Sequence, residues 1–227
     1  MKQDLTEMVF ILDNSGSMSG LEKDTMGGFN SMLEKQRKVK GEALVTTVLF
    51  NTFSELLHDR VKLEDVKPMD ETQYQVGGST ALMDALGETI ERIEFIHKYI
   101  REEDVPEHTI FVITTDGMEN ASRKYTIGKI RELVEKKKAS GWEFVFLGAN
   151  IDAIKTAESY GMDQNDAAMF LACEEGVDLL YDSVSKRLCL ARMKANSHNR
   201  AWAKRLDALQ KRQGNKEKGQ DNKTNEQ

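Results

Sequence analysis

Cysteine, proline and long apolar runs are all scarce in this chain of 227 residues. Its two cysteines, Cys173 and Cys189, lack CxxC spacing and do not form a disulfide framework; both are expected as small buried apolar residues. No run approaches the roughly 18 consecutive apolar residues of a membrane-spanning helix. The opening Met-Lys-Gln-Asp-Leu-Thr-Glu has no apolar stretch of the kind a secretory leader needs, so the cytoplasm is the expected compartment. A basic surface is missing too. The net charge is −6, and residues 211–227 carry five basic and three acidic side chains, which leaves the rest of the chain at −8. Such a body offers no stripe for nucleic acid and none for an anionic membrane.

Catalytic signatures are equally sparse. There is no Gly-Lys-Ser/Thr phosphate loop, no Gly-x-Gly-x-x-Gly after a strand and no Gly-x-Ser-x-Gly elbow. The histidines at 58, 97, 108 and 198 show no metal or triad spacing; His97 lies near the apolar face of a helix and is expected to be packed.

The chain does contain a regular alternation of short apolar runs and amphipathic segments. Strands are predicted at Met8–Leu12, Ala43–Phe50, Ser54–Val66, Thr109–Thr114, Trp142–Leu147 and Ala167–Ala172. Helices are predicted at Leu21–Lys38, Ala81–Ile100, Thr126–Ala139 and Ile151–Tyr160, and from Glu174 to about Gln210 with a break near Asn196. Gly27 and Gly28 weaken the first helix or let a neighbour pack closely. The connection Asn51-Thr52-Phe53 is too short for a parallel crossover and requires an antiparallel hairpin. The order implies an α/β fold: a doubly wound, mostly parallel six-stranded sheet, Rossmann-like, with one antiparallel strand. The expected organisation is one domain over 1–195, a helical extension over 196–210 and a disordered polar tail over 211–227, a stretch with no aliphatic or aromatic residue. In the extension, Trp202, Leu206 and Leu209 form a strip that packs back on the domain or grips a partner.

Three turns carry oxygen donors. Asp13-Asn-Ser15-Gly-Ser17 follows the first strand, Gly77-Gly-Ser-Thr80 precedes the helix at Ala81, and Thr115-Asp116-Gly117 follows the fourth strand. In a doubly wound sheet these places share the carboxyl edge, where ligands bind near the reversal of strand order. Asp-x-Ser-x-Ser alone arises by chance in a chain this long with a probability on the order of 5%. Turn and cap roles would account for the hydroxyls, but they would not require both aspartates on one edge. Two carboxylates and three hydroxyls suit a hard cation such as Mg²⁺, which takes about six oxygens and keeps part of its shell for exogenous ligands; Mn²⁺ accepts the same donors. Gly16, Gly77 and Gly78 ease these tight paths.

These segments resemble the metal-ion-dependent adhesion site (MIDAS) of von Willebrand factor A-type (VWA) domains, over about Met8 to Arg192. The stand-alone prokaryotic and phage members are the nearest in kind. The resemblance implies direct Mg²⁺ ligation by Ser15, Ser17 and Thr80, with Asp13 and Asp116 acting partly through water. It also implies an open coordination position filled by an Asp or Glu of a protein partner. Asn14, Met18, Ser79 and Glu119 are then expected around the ion, within reach of that partner. Asp84, in the first turn of the helix after Thr80, is expected to favour the helix dipole more than to support the ion. No catalytic residue is expected. Two other readings stay open: a metal-dependent phosphohydrolase with Asp13 as nucleophile, although Ser15 stands where such enzymes place a second Asp, and a module whose ion only stabilises its loops.

Overall fold

The computed structural model describes residues 1–149, 151–194 and 200–213. Its elements run β1 (Lys2–Asp13), α1 (Glu22–Arg37), β2 (Glu42–Phe50), β3 (Ser54–Lys62), α2 (Leu82–Tyr99), β4 (Pro106–Thr115), α3 (Ile127–Ala139), β5 (Glu143–Gly148), α4 (Ala153–Ser159), β6 (Ala167–Met169) and α5 (Glu174–Arg192). The six strands lie in the order β3-β2-β1-β4-β5-β6. Only β3 is antiparallel to its neighbour. This is the doubly wound, mostly parallel sheet with one antiparallel edge strand that the alternation implied.

The pleat explains the layering. Successive side chains of a strand face opposite sides, and β1 is apolar on both. Met8, Phe10 and Leu12 join a core with Phe29 and Met32 of α1 and with Val184 and Leu188 of α5. Val9 and Ile11 join a second core with Leu86 and Ile90 of α2, Ile130 of α3 and Ala157 of α4. Each such side chain contributes about 1.5–3 kcal/mol relative to an exposed one. Of the two roles open to the glycine pair, Gly28 has the packing one: a Cβ there would lie 2.3 Å from Cδ2 of Tyr181, so its absence lets α1 and α5 approach, whereas a Cβ on Gly27 would meet nothing.

Several boundaries differ from the sequence expectation. β1 begins at Lys2 rather than Met8, because its polar first half is paired on both sides, with β2 and β4. Glu7 in that half is fully buried. His97 Nε2 lies 2.6 Å from its Oε2, and Arg60 Nε forms an ion pair with its Oε1 at 2.9 Å. Opposite charge and a hydrogen bond offset the desolvation that hydropathy alone counts against it. β3 stops at Lys62, where Leu63–Asp65 turn as a short 3₁₀ helix. β6 has only three residues. Neither cysteine is fully buried: Cys173 is exposed and Cys189 half-buried, and both thiols are free.

α5 ends at Arg192, and the expected break near Asn196 lies outside the described residues. Beyond it, a 3₁₀ turn at Arg200–Ala203 leads into a helix over 204–213. Trp202, Ala203 and Leu206 are buried in the α1–α5 core. Trp202 Nε1 donates to the carbonyl of Asn165 at 3.1 Å, and Arg205 pairs with Asp182 at 3.0 Å. Trp202 and Leu206 of the strip thus pack back on the domain, while Leu209 is half-buried beside an open cavity. The helix continues three residues into the segment expected as a polar tail, and 214–227 lie outside the described residues. Among the described residues no helix is long and apolar enough to cross a membrane.

Candidate metal centre

Strand order reverses at β1, which sits between β2 and β4. The crevice at such a reversal lies at the carboxyl ends of the two central strands, and there β1 ends in Asp13 and β4 in Thr115. Asp13 is fixed by three contacts. Its Oδ1 accepts from the Ser15 N–H at 2.7 Å, its Oδ2 accepts from the Thr115 hydroxyl at 2.6 Å, and its main-chain carbonyl accepts from the Tyr74 phenol. The first contact bends the chain directly into a 3₁₀ turn, Gly16–Met18. That turn brings Ser15 Oγ and Ser17 Oγ to 3.1 Å from each other.

The other two turns close onto this one. Ser17 donates to Asp116 Oδ1 at 2.6 Å. A Cβ placed on Gly117 would lie 3.2 Å from Ser17 Oγ and 3.3 Å from Thr80 Oγ1, so both hydroxyls flank the same glycine. Thr80 is held through its own backbone: its N–H donates to Asn120 Oδ1, and its carbonyl accepts from the N–H groups of Asn120 and Ala121. Main-chain bonds tie the loops together, from Gly16 N–H to the Gly78 carbonyl and from Gly77 N–H to the Asn14 carbonyl. Gly78 has φ +75°, and a side chain there would also strike Thr52 Oγ1 at 2.7 Å. Gly16 contributes close approach to Gly78 instead of an unusual dihedral. Asp13, Ser15, Ser17, Thr80 and Asp116 therefore come from three distant turns to one spot.

The electrostatics of that spot are unbalanced. Asp13 and Asp116 are 1% and 3% exposed. Burial pushes the Asp13 carboxyl up from its ordinary value; hydrogen bonds from Ser15 and Thr115 oppose this, and the Asp116 charge adds to it. Burial likewise pushes Asp116 up, against the Ser17 hydrogen bond. Among the described residues neither carboxylate has a Lys, Arg or His ion pair. Nor is there any cluster of three or more His, Cys, Asp or Glu that could hold a metal. Two buried carboxylates with neutral hydroxyls around them fit a hard, oxygen-preferring divalent cation, and offer little to a soft metal that selects thiolate.

The expected rim is only partly at the surface. Ser79 is exposed. Asn14 is buried, with its Nδ2 donating to the Gln75 carbonyl, and Met18 is folded into the core beneath the 3₁₀ turn. Glu119 is half-buried and accepts from the N–H groups of Met83, Ala121 and Ser122 and from the Ser122 hydroxyl. It organises its loop and the start of α2, so its carboxylate is not free for a visitor. Asp84 has a similar task. Burial raises its carboxyl, but the backbone N–H groups of Arg123, Lys124 and Tyr125 outweigh this and hold it below the ordinary value. Met118, 74% exposed and two residues after Asp116, stands at the surface in place of the buried Asn14 and Met18. Thr115 and Tyr74, which position Asp13, were not foreseen. Thr115 was within reach of sequence reasoning, as the hydroxyl beside Asp116; nothing local marked Tyr74.

No protein-family model matches the chain, and no curated protein sequence does. Solved structures do match. Proximal thread matrix protein 1 of the mussel byssus aligns with a TM-score of 0.56 and 14% identity, over 82% of this chain and 46% of that one. A structure of the same protein has zinc in its MIDAS motif and aligns at 0.54 and 15% identity, over 81% of this chain and 46% of that one. The vWF domain of the type V pili tip protein Mfa5 from Porphyromonas gingivalis aligns at 0.57 and 10% identity, over 82% of this chain and 95% of that one. The ArnB paralog VWA2 from Sulfolobus acidocaldarius aligns at 0.52 and 13% identity, over 80% and 44%. The chain thus spans less than half the length of the byssus and Sulfolobus proteins. These likenesses establish the fold: the chain has the VWA-type fold.

Proposed function

We propose that this chain is a protein-binding module that grips an Asp or Glu of its partner through a divalent cation, Mg²⁺ in the first place, with Mn²⁺ as a substitute. The observation that carries the reading is the pair of buried carboxylates, Asp13 and Asp116, with no cationic side chain among the described residues paired with either. Ser15, Ser17 and Thr80 would hold the ion directly, and Asp13 and Asp116 partly through water. A cation bound there supplies an electropositive position for an incoming carboxylate. Five protein donors, the two carboxylates among them acting partly through water, would leave such an ion short of its shell of about six oxygens, and a partner carboxylate can take the open position beside the neutral hydroxyls. Partner and metal therefore bind cooperatively, each completing the other's site. The zinc-occupied MIDAS motif of the byssus protein lends support to a divalent ion on this fold. The free thiols accord with a reducing, cytoplasmic setting. The acidic body speaks against nucleic acid or an anionic membrane as the partner.

The phosphohydrolase reading is weaker. Both Asp13 oxygens accept hydrogen bonds, from Ser15 and Thr115, and the side chain is buried, so it is poorly placed to attack an ester. The reading in which the ion only stabilises loops predicts metal binding without a dependent partner. The test is affinity capture from host lysate on wild type and on Asp13→Ala, each in Mg²⁺ and in EDTA. One captured partner is expected, in the wild-type Mg²⁺ arm alone. The same partner in all four arms removes the mechanism.

A further inference from the structure

The two flanks of the metal centre differ in charge and in apolar surface, and we infer that the partner segment leaves the ion in one direction only. It passes over the β2–β3 hairpin and carries an apolar side chain and a second carboxylate in addition to the one on the metal. This inference rests on the proposed function.

A cleft of about 410 Å³ opens between the hairpin tip and the loop after β4, with Phe53, Ala81, Ala121, Arg123 and Lys124 in its walls. Ala81 follows Thr80 directly, and Ala121 donates its N–H to the Thr80 carbonyl, so the cleft begins at a proposed ligand. Phe53 is 80% exposed. It is nevertheless held in place, because Asn51 and Phe53 exchange bonds across the tip: the Asn51 N–H donates to the Phe53 carbonyl, and the Phe53 N–H to Asn51 Oδ1, each at 3.0 Å. The tip is fastened in turn to the metal loop through Ser79 N–H to Thr52 Oγ1 and Ala81 N–H to the Asn51 carbonyl. A large ring presented to water on a fixed turn is a preorganised apolar contact, which keeps the ordering cost of binding low.

The charges of the cleft are mostly committed. Asp84 serves three backbone N–H groups, and Glu88 pairs with Lys124. The Arg123 guanidinium has no ion pair or hydrogen bond among the described residues and is exposed. One free cation is left, within reach of a segment lying against Phe53, and it fits a carboxylate bidentately. The charges of this cleft balance, whereas the opposite flank is net acidic. A cavity of about 630 Å³ between the start of α1 and the 71–76 loop is lined by Glu22, Asp24 and Glu71 against Lys23 alone. An acidic segment is repelled there, and repulsion on one side with attraction on the other fixes direction.

The probe is a displayed library of random peptides, panned on the full-length chain in Mg²⁺, eluted with EDTA and sequenced. The expected consensus is one Asp or Glu, followed on one side by a large apolar residue and a second acid. Arg123→Glu is expected to remove the second acid and Phe53→Ser the apolar preference, while both keep the first acid; both positions are exposed, and unchanged melting curves verify folding. For a synthetic consensus peptide, Arg123→Glu is expected to weaken binding about fivefold, the scale of an exposed ion pair, and Glu71→Lys to leave it within about twofold. EDTA-eluted peptides with one acid and no flanking preference, or an unchanged consensus in Arg123→Glu, overturn this inference and leave the proposed function standing. No EDTA-dependent enrichment at all overturns both.

Discussion

Replacing Asp13 by asparagine separates the cost of the bare site from the gain on metal binding. In metal-free protein, burial disfavours the ionised Asp13 carboxyl and Asp116 adds repulsion. Asparagine is nearly the same shape and uncharged, so Asp13→Asn removes both penalties. Its amide oxygen can still accept from the Ser15 N–H. The Thr115 hydroxyl can turn to the Gly117 carbonyl, already 3.1 Å away, and free its oxygen for the new amide N–H. No hydrogen bond need be lost, so in EDTA the variant is expected to melt no lower than wild type. With Mg²⁺ the order reverses. An ion at about 100 times its dissociation constant stabilises the folded state by about 2.7 kcal/mol. For a chain of this size, about 2–4 °C per kcal/mol makes this roughly 5–11 °C. Wild type should gain that shift and the variant little of it. Differential scanning calorimetry of both proteins in EDTA and in millimolar Mg²⁺ gives the four melting temperatures. A variant that melts well below wild type in EDTA, or wild type that ignores Mg²⁺, refutes the argument that buried, uncompensated charge defines this site.

Two further predictions concern the frame around the site. Arg187 is fully buried and pairs with Asp166 at 2.9 Å and Glu143 at 2.6 Å; Arg187→Met leaves Asp166 buried without its partner and is expected to cost about 3–5 kcal/mol, read as a lower urea midpoint with unchanged slope. Trp202→Ala should cost about 3–5 kcal/mol by the same measurement, as a core aromatic does, whereas a value under about 0.5 kcal/mol would mean that the 200–213 segment is only laid against the domain.

The alternation of strands and helices was legible because a parallel sheet covered on both faces needs continuous apolar runs, and β1, β4 and β5 supply them. What escaped was polar. Lys2–Glu7 extends β1 although all of its residues but Leu5 are hydrophilic, and the partners of Glu7, Arg60 and His97, are dozens of residues away. That Asp13, Ser15, Ser17, Thr80 and Asp116 would come together was legible for a topological reason: turns after β1 and β4 and before α2 must share an edge once the sheet is doubly wound. The rim was less so. Proximity in sequence to Ser15 and Ser17 suggested that Asn14 and Met18 face outward, but the 3₁₀ turn carries Met18 into the core and Asn14 is buried with its side chain bonded to the Gln75 carbonyl. Glu119 was expected at the rim and Asp84 at the helix dipole; both accept backbone N–H groups of the 119–125 loop, and Glu119 also that of Met83, which no residue pattern announces.

The bonds that draw the first two turns together and tie them to the β2–β3 hairpin run between main-chain atoms: Gly16 to Gly78, Gly77 to Asn14, Asn14 to Phe50 and Ala81 to Asn51; the Asp116 turn is joined through side chains, Thr115 to Asp13 and Ser17 to Asp116. Every residue type except proline brings the same amide, so the main-chain lacing is nearly indifferent to what the side chains become. A lineage can rewrite almost all of the surrounding text and keep the cup, as long as a handful of oxygens and one left-handed glycine survive. A backbone arrangement can in this way persist where sequence resemblance has faded.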